Sequence, residues 1–287
     1  MTIFVAFCLV ALLFIALIMP GASSVEDRAP FWGMYFAHRG LHTKDKAVPE
    51  NSLAAFTAAV DAGYGIELDI RLAADGEVVV FHDDTLLRMC GAPGRVADLT
   101  LAQLRELKLL DTDQGIPTLW ETLYVVKGKV PLLVELKSGP QHKRLCEEAW
   151  KILRTYEGDV CIQSFDPRMV RWYKKHVPGL LRGQLAARPK ELRASAGLAA
   201  YPVGWGLTHF LGRPHFIAHR KGPVSPIMRL ARRLAMRMVW TAHPDDSTFM
   251  LEEENEAIIF EYYEPEPRFV DPPGVPNSWP EDETYRF

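Results

Sequence analysis

The chain has 287 residues, 48% of them hydrophobic and 24% charged, with 33 basic and 36 acidic side chains and a net charge of −3. This balance argues against a nucleic-acid binder, which meets phosphate backbones with a cationic excess. Four cysteines in this length rule out a disulfide-stapled miniprotein. Cys90, Cys146 and Cys161 lack metal-type spacing and, with Cys8 in an N-terminal apolar run, read as ordinary thiols of a reducing compartment.

Ile3 to Met19 contains no charged side chain. A run of this kind, at about 1.5 Å per residue, sits at the short end of what spans a bilayer core. The expectation is an N-terminal transmembrane helix over residues 1–22, uncleaved because no Lys or Arg precedes it; the alternative is a signal peptide cut near Ala22-Ser23-Ser24, which would leave the protein secreted. The few charges that flank the run leave the side of the membrane open, and the reading favours the cytoplasmic face.

Beyond the run, short apolar strands alternate with amphipathic stretches. Strands are expected at Met34–Ala37, Gly65–Ile70, Val78–Phe81, Leu132–Leu136 and Val160–Gln163. Further candidates are Leu180–Leu185, Phe216–Ala218, Met238–Thr241 and Ala257–Phe260. Asn51 or Ser52 caps a helix ending near Asp61, Thr100/Gln103 and Thr118/Glu121 form capping boxes, and Asp166-Pro167 opens a helix that ends near His176. A β-then-α rhythm over 34–264, with no dividing linker, predicts an α/β fold: a parallel (β/α)8 TIM barrel. The tail 265–287 is rich in proline and carries Glu281-Asp282-Glu283, and is expected to be a loosely ordered extension or a strap on the barrel.

Charged residues on apolar strands are the most informative feature. Glu67 and Asp69 share one strand face, Glu135 and Lys137 share another, and His38 and His82 end their strands. In a barrel these positions converge at the mouth with Arg39. Burying so many charges unpaired costs several kcal/mol each, roughly, so they should share a cation or a ligand. Glu67, Asp69 and Glu135 offer only oxygens, which suits one divalent cation, Ca2+ or Mg2+. Such an ion with Arg39 and Lys137 makes a phosphate pocket, and two flanking imidazoles provide a general base and a general acid. That combination describes phosphodiester cleavage.

Ala37-His38-Arg39-Gly40, Pro49-Glu50-Asn51-Ser52, Glu67-Leu68-Asp69, His82-Asp83, Glu135-Leu136-Lys137, Ser164-Phe165-Asp166 and Trp240-Thr241 appear in this order. The ordered set resembles the glycerophosphodiester phosphodiesterase family, from about residue 34 to 262. The resemblance implies metal-dependent hydrolysis of glycerophosphodiesters to glycerol 3-phosphate and an alcohol. It makes His38 the general base and His82 the general acid, gives the metal to Glu67, Asp69 and Glu135, and assigns the phosphate to Arg39 and Lys137. Glu50, Asn51 and Trp240 would line the substrate site, with Asn51 equally readable as a helix cap. Two stretches depart from the family pattern: Trp240-Thr241-Ala242-His243 stands where Trp-Thr-Val-Asn is usual, and Ile259-Phe260-Glu261 where a Thr-Asp pair is expected. Both are read as bearing on substrate preference more than on catalysis.

Arg213 to Arg237 holds seven basic and no acidic residues. A helix near 227–238 would place Ile227, Leu230, Ala231, Leu234 and Met238 on one face and Arg229, Arg232, Arg233 and Arg237 on another. It reads as an outer barrel helix or as a basic patch against anionic lipid. The expected function is therefore a membrane-anchored phosphodiesterase of glycerophosphodiesters. A lysophospholipase D, a phosphodiesterase of glycerol-phosphate polymers, and a non-catalytic lipid-headgroup binder are the alternatives.

Overall fold

The computed structural model describes residues 2–266. Eight parallel strands close on themselves: β1 (Tyr35–Ala37), β2 (Gly65–Leu72), β4 (Leu132–Leu136), β5 (Val160–Ser164), β6 (Arg182–Ala186), β7 (Phe216–Arg220), β8 (Met236–Ala242) and β9 (Ala257–Phe260). Closure comes from β1, which pairs with β2 on one side and β9 on the other. Helices follow the strands, as in the expected TIM barrel. The expected tail lies outside the described residues from position 267 onward.

Strand alternation builds two cores. Ile66, Leu68 and Ile70 of β2 pack outward with Phe56, Leu119 and Ala149 of the surrounding helices. Phe36, Leu133, Cys161, Phe216 and Met238 pack with one another inside the barrel, with Phe31 joining them. Glu67, Asp69 and Glu135 alternate with the outward set on β2 and β4, so they belong to the interior face. Strand register sets their relation: Asp69 pairs with Glu135, and Glu135 with Gln163.

The third expected strand takes a different place. β3 (Val78–Val80) runs antiparallel to β2, with Ile70 opposite Val80, and stands outside the barrel. The Asp75-Gly76 turn is too short for a parallel crossover, which needs a dozen or more residues. Residues 84–117 then form a small apolar subcore around Phe81, Leu86, Met89, Val96 and Leu104.

The N-terminal helix spans Thr2–Ile18. At 1.5 Å per residue it reaches roughly 26 Å, against a hydrocarbon core of roughly 30 Å. Among the described residues no helix is long and apolar enough to cross a membrane, so the expected transmembrane span is not found. The helix is held at its C-terminal end. Ile18 is buried with Ile217 and Met228, its carbonyl lies 3.0 Å from His209 Nδ1, and Arg213 donates to the carbonyls of Ala16 and Met19. Ile3, Phe4, Phe7 and Val10 stay mostly exposed.

The basic helix expected near 227–238 is shorter, covering Pro226–Arg232, because the chain enters β8 at Met236. Met228 and Ala231 face the core, while Leu230 and Leu234 are exposed. Arg232 bonds Asn255 and Arg237 bonds Glu256, which leaves Arg229 and Arg233 exposed.

Candidate active site at the barrel mouth

Three buried carboxylates form the centre. One oxygen each from Glu67, Asp69 and Glu135 lie within 4.8 Å of one another. Burial beside Asp69 and Glu135 pushes the Glu67 carboxyl well above its ordinary value. Burial also opposes ionisation of Asp69, yet Lys137, His82 and Arg39 around it hold it well below the usual carboxylate range. Lys137 Nζ sits 2.6 Å from Glu135 and 3.2 Å from Asp69, where it balances the acids while lining the cavity at the mouth. Gln163 Nε2 donates to Glu67 Oε1 at 3.3 Å.

The first βα loop turns sharply to build the rim. Arg39 and Gly40 both have positive φ, and a Cβ on Gly40 would meet that of Ala55 at 2.8 Å, so only glycine fits there. The turn lets the Arg39 amide donate to Glu67 Oε2 at 3.1 Å. Its guanidinium reaches Glu50 at 2.7 Å and Asp69 at 3.4 Å. Glu50 is also gripped by Arg88; despite burial, Arg88 and Arg39 pull its carboxyl down to about 2. Glu50 thus holds two arginines in place.

Asn51 and Ser52 divide the two roles open to them. Ser52 is the cap, its Oγ accepting from the Ala55 amide at 3.1 Å. Asn51, buried at φ +54°, donates from Nδ2 to Asp69 Oδ2 at 2.8 Å.

His38 follows β1 directly, and its Nδ1 lies 2.8 Å from Glu261 Oε2. Burial, then the neighbouring Arg39 charge, lowers its pKa to about 4 against the opposing pull of Glu261, so the ring is neutral at pH 7. His82 arrives from the antiparallel β3 and not from a barrel strand. Its Nδ1 lies 2.7 Å from Asp83 Oδ1, and Arg88 donates to Asp83 as well as to Glu50. Both histidines line one cavity of about 120 Å³ with Arg39, Glu67, Glu135 and Lys137. Trp240 lines the same cavity, its ring edge-on to Phe165 and its Nε1 donating to the Ala218 carbonyl.

Sequence reading passed over Gln163 and Arg88, and met Glu261 only as a departure from the family pattern read as bearing on substrate preference. Gln163 carried the same signal as the acids, a polar side chain on an apolar strand. Arg88 carried none, and the departure at Glu261 did not show its contact with His38, because both roles depend on loops folding back toward the mouth.

An eight-stranded parallel barrel with acids, cations and two imidazoles at one cavity defines a class of barrel suited to phosphoester chemistry. More specifically, residues 38–264 match the glycerophosphoryl diester phosphodiesterase family, and the chain belongs to it. A glycerophosphodiester phosphodiesterase of Caldanaerobacter subterraneus subsp. tengcongensis is 38% identical over 163 residues, covering 53% of this chain and 66% of its own length. Glycerophosphodiester phosphodiesterase 1 of Homo sapiens is 40% identical over 96 residues, covering 30% of this chain and 28% of its own. The matched stretches thus span less than two thirds of these relatives. Among solved structures, an Oleispira antarctica phosphodiesterase in complex with the product sn-glycerol-3-phosphate superposes with a TM-score of 0.66 at 21% identity, over 81% of this chain and 94% of that one. A glycerophosphodiester phosphodiesterase of Thermotoga maritima gives 0.59 at 24%, over 79% and 93%. At these identities the structural likeness is one of fold.

Proposed function

We propose that the chain hydrolyses glycerophosphodiesters to glycerol 3-phosphate and an alcohol. The observation that carries this reading is one cavity lined by His38, His82, Arg39, Lys137, Glu67 and Glu135, the last two clustered with buried Asp69. The names of the relatives and the product held by the Oleispira protein point the same way.

The donor set fits a divalent cation. Its ligand atoms are all carboxylate oxygens, the choice of Ca2+ or Mg2+, and the raised pKa of Glu67 reflects negative charge crowded into a buried place. Glu67, Asp69 and Glu135 would hold the ion, which would supply charge neutralisation at the phosphate. Arg39 and Lys137 are the cations available to the phosphate oxygens. Neutral His38, with Nδ1 turned to Glu261, keeps Nε2 as the base for the attacking hydroxyl, whether of water or of the substrate's own glycerol. As the new oxygen–phosphorus bond forms, the bond to the alcohol breaks, and His82 gives a proton to the departing oxygen; where the glycerol hydroxyl attacks, the product is a cyclic phosphate that water then opens to glycerol 3-phosphate.

Phe165, Leu185, Trp240 and Ile259 give the same cavity an apolar side. That side favours a second reading, in which the glycerol that keeps the phosphate carries an acyl chain and the enzyme acts as a lysophospholipase D, releasing the headgroup alcohol and a lysophosphatidate. A panel of glycerophosphocholine, glycerophosphoglycerol and a lysophospholipid, with EDTA and metal add-back, separates the two. Glycerol 3-phosphate release that disappears with EDTA and returns with Ca2+ or Mg2+ is expected. No turnover of any member in either metal would overturn the proposal, and so would a His82→Ala variant of full rate, since loss of a general acid slows cleavage by about 10²–10⁴-fold.

We also propose that the protein works at a lipid surface. The Thr2–Ile18 helix carries exposed apolar side chains and no charge, and Arg229 and Arg233 are exposed cations. The apolar side chains exposed along this helix lose contact with water if they insert into lipid. Sedimentation with phosphatidylglycerol vesicles should bring the protein down, less so for the R229Q/R233Q variant; protein that stays in the supernatant refutes this.

A further inference from the structure

The two stretches that depart from the family pattern meet in space. Glu261 follows β9 and His243 follows β8, and the Glu261 amide donates to the Ala242 carbonyl at 3.0 Å. Glu261 spends one carboxylate oxygen on each of two rings: Oε2 lies 2.8 Å from His38 Nδ1, and Oε1 lies 2.8 Å from His243 Nε2; a third ring, His42, has its Nε2 3.7 Å from Oε2. Behind His243 stands Lys221, whose Nζ is 3.4 Å from His243 Nδ1 and 2.6 Å from Asp246 Oδ2. Asp246 in turn accepts from the His243 backbone amide at 2.7 Å.

The direction of every bond in this array follows from chemistry. Lys221 has only protons to give, so His243 Nδ1 accepts and its Nε2 carries the hydrogen. That hydrogen goes to Glu261 Oε1. An ionised carboxylate has no proton to give, so the hydrogen between His38 and Glu261 belongs to His38 Nδ1. Although burial opposes it, the contacts with His38, His42 and His243 hold the Glu261 carboxyl far below the usual range, and it is ionised. The remaining nitrogen of His38, Nε2, is thereby left as the basic one.

We propose that Glu261 and His243 are positioning residues for the reaction: Glu261 fixes the tautomer and orientation of His38, and His243, steadied by Lys221 and Asp246, fixes Glu261. The inference rests on His38 being the base of the proposed hydrolysis. A shared change at two positions makes sense in these terms. Glutamate is one methylene longer than the expected aspartate, and His243 supplies the second donor that pins the extra length.

Two measurements test it. In steady-state kinetics with the metal-loaded full chain, Glu261→Gln is expected to lower kcat by about 10²-fold with KM changed less than about twofold, and His243→Asn to lower kcat by about fivefold. Because His243 acts through Glu261, the double variant should be no slower than Glu261→Gln alone. Losses that multiply, or that fall on KM, overturn the proposal. Nitrogen-15 spectra of the His38 ring, assigned by their loss in His38→Gln, read the tautomer without any substrate. The parent protein should show a proton on Nδ1 and none on Nε2. Glu261→Gln, whose amide donates as well as accepts, should show both forms. A His38 with bare Nδ1 in the parent protein overturns the inference whatever the activity, and failure to cleave glycerophosphodiesters with the expected tautomer present would instead overturn the proposed function.

Discussion

Asn51 and Ser52 are adjacent, and their replacement should have opposite consequences for chemistry. Ser52→Ala removes the cap bond from the Ala55 amide and the bond its hydroxyl donates to the Pro49 carbonyl, together about 2 kcal/mol of stability, and leaves the carboxylates at the mouth in place. Asn51→Ala removes a buried hydrogen bond to the Asp69 carboxylate. Hydrogen bonds to charged groups contribute about 2 kcal/mol. Alanine must also take up the φ of +54°, adding about 1 kcal/mol of strain. The sum, about 3 kcal/mol, is read from urea unfolding midpoints at constant m. Asp69, freed on one side, should shift toward Arg39 and Lys137, its other partners. We expect kcat/KM for glycerophosphocholine to fall by more than about tenfold in Asn51→Ala, equivalent to about 1.4 kcal/mol, and by less than about twofold in Ser52→Ala. Asn51→Gly separates the two parts of the loss, because glycine accepts the positive φ but makes no bond to Asp69; it should match alanine in activity and exceed it in stability by up to about 1 kcal/mol. If Asn51→Ala behaves like Ser52→Ala in both assays, Asn51 has no part in holding Asp69 and the division of roles is wrong.

Glu67→Gln removes one of three crowded charges, so it should raise the melting temperature of metal-free protein while abolishing the further rise that Ca2+ or Mg2+ gives the parent; scanning calorimetry with and without EDTA checks both signs. Arg88→Ala frees Asp83 and Glu50 together, and kcat should fall by about tenfold as His82 loses its fixed carboxylate, whereas unchanged kinetics would show that Asp83 needs no anchor. Burial lowers His209 from 6.5 to about 4. The unfolded chain therefore binds the proton first as pH falls, so stability present above pH 6.5 is lost between 6.5 and 4, by about 2 kcal/mol at pH 5 for this fully buried ring. Urea titrations at pH 7 and pH 5 should show a smaller difference in His209→Gln than in the parent protein, and equal differences would refute the assignment.

Much of the site was legible in the residues alone, because barrel strands bury both faces and a charge on such a strand is costly unless it has work to do. Glu67, Asp69, Glu135 and Lys137 stood out for that reason, and the β-then-α rhythm placed them at one end of a closed sheet. Capping boxes at Thr100 and Thr118 were equally plain, since they need only neighbours three residues apart. The reading went astray where a decision was not local. An apolar triplet such as Val78–Val80 has no mark that says barrel or hairpin, and the short connection before it settled the matter. The uncharged run Ile3–Met19 reads as a membrane span in the sequence, but helix length and the docking of Ile18 on the barrel are facts of the folded chain. Sequence alone determined which groups had to gather, through composition and alternation. Only tertiary structure decided which of them touch: that Glu50 clamps two arginines, that Asn51 serves Asp69 while Ser52 caps, and that Glu261 reaches His38 across 223 positions of chain. Hydrogen bonds act over 3 Å, and no spacing rule in the sequence reports a distance that loops from opposite ends of the barrel close only once it has formed.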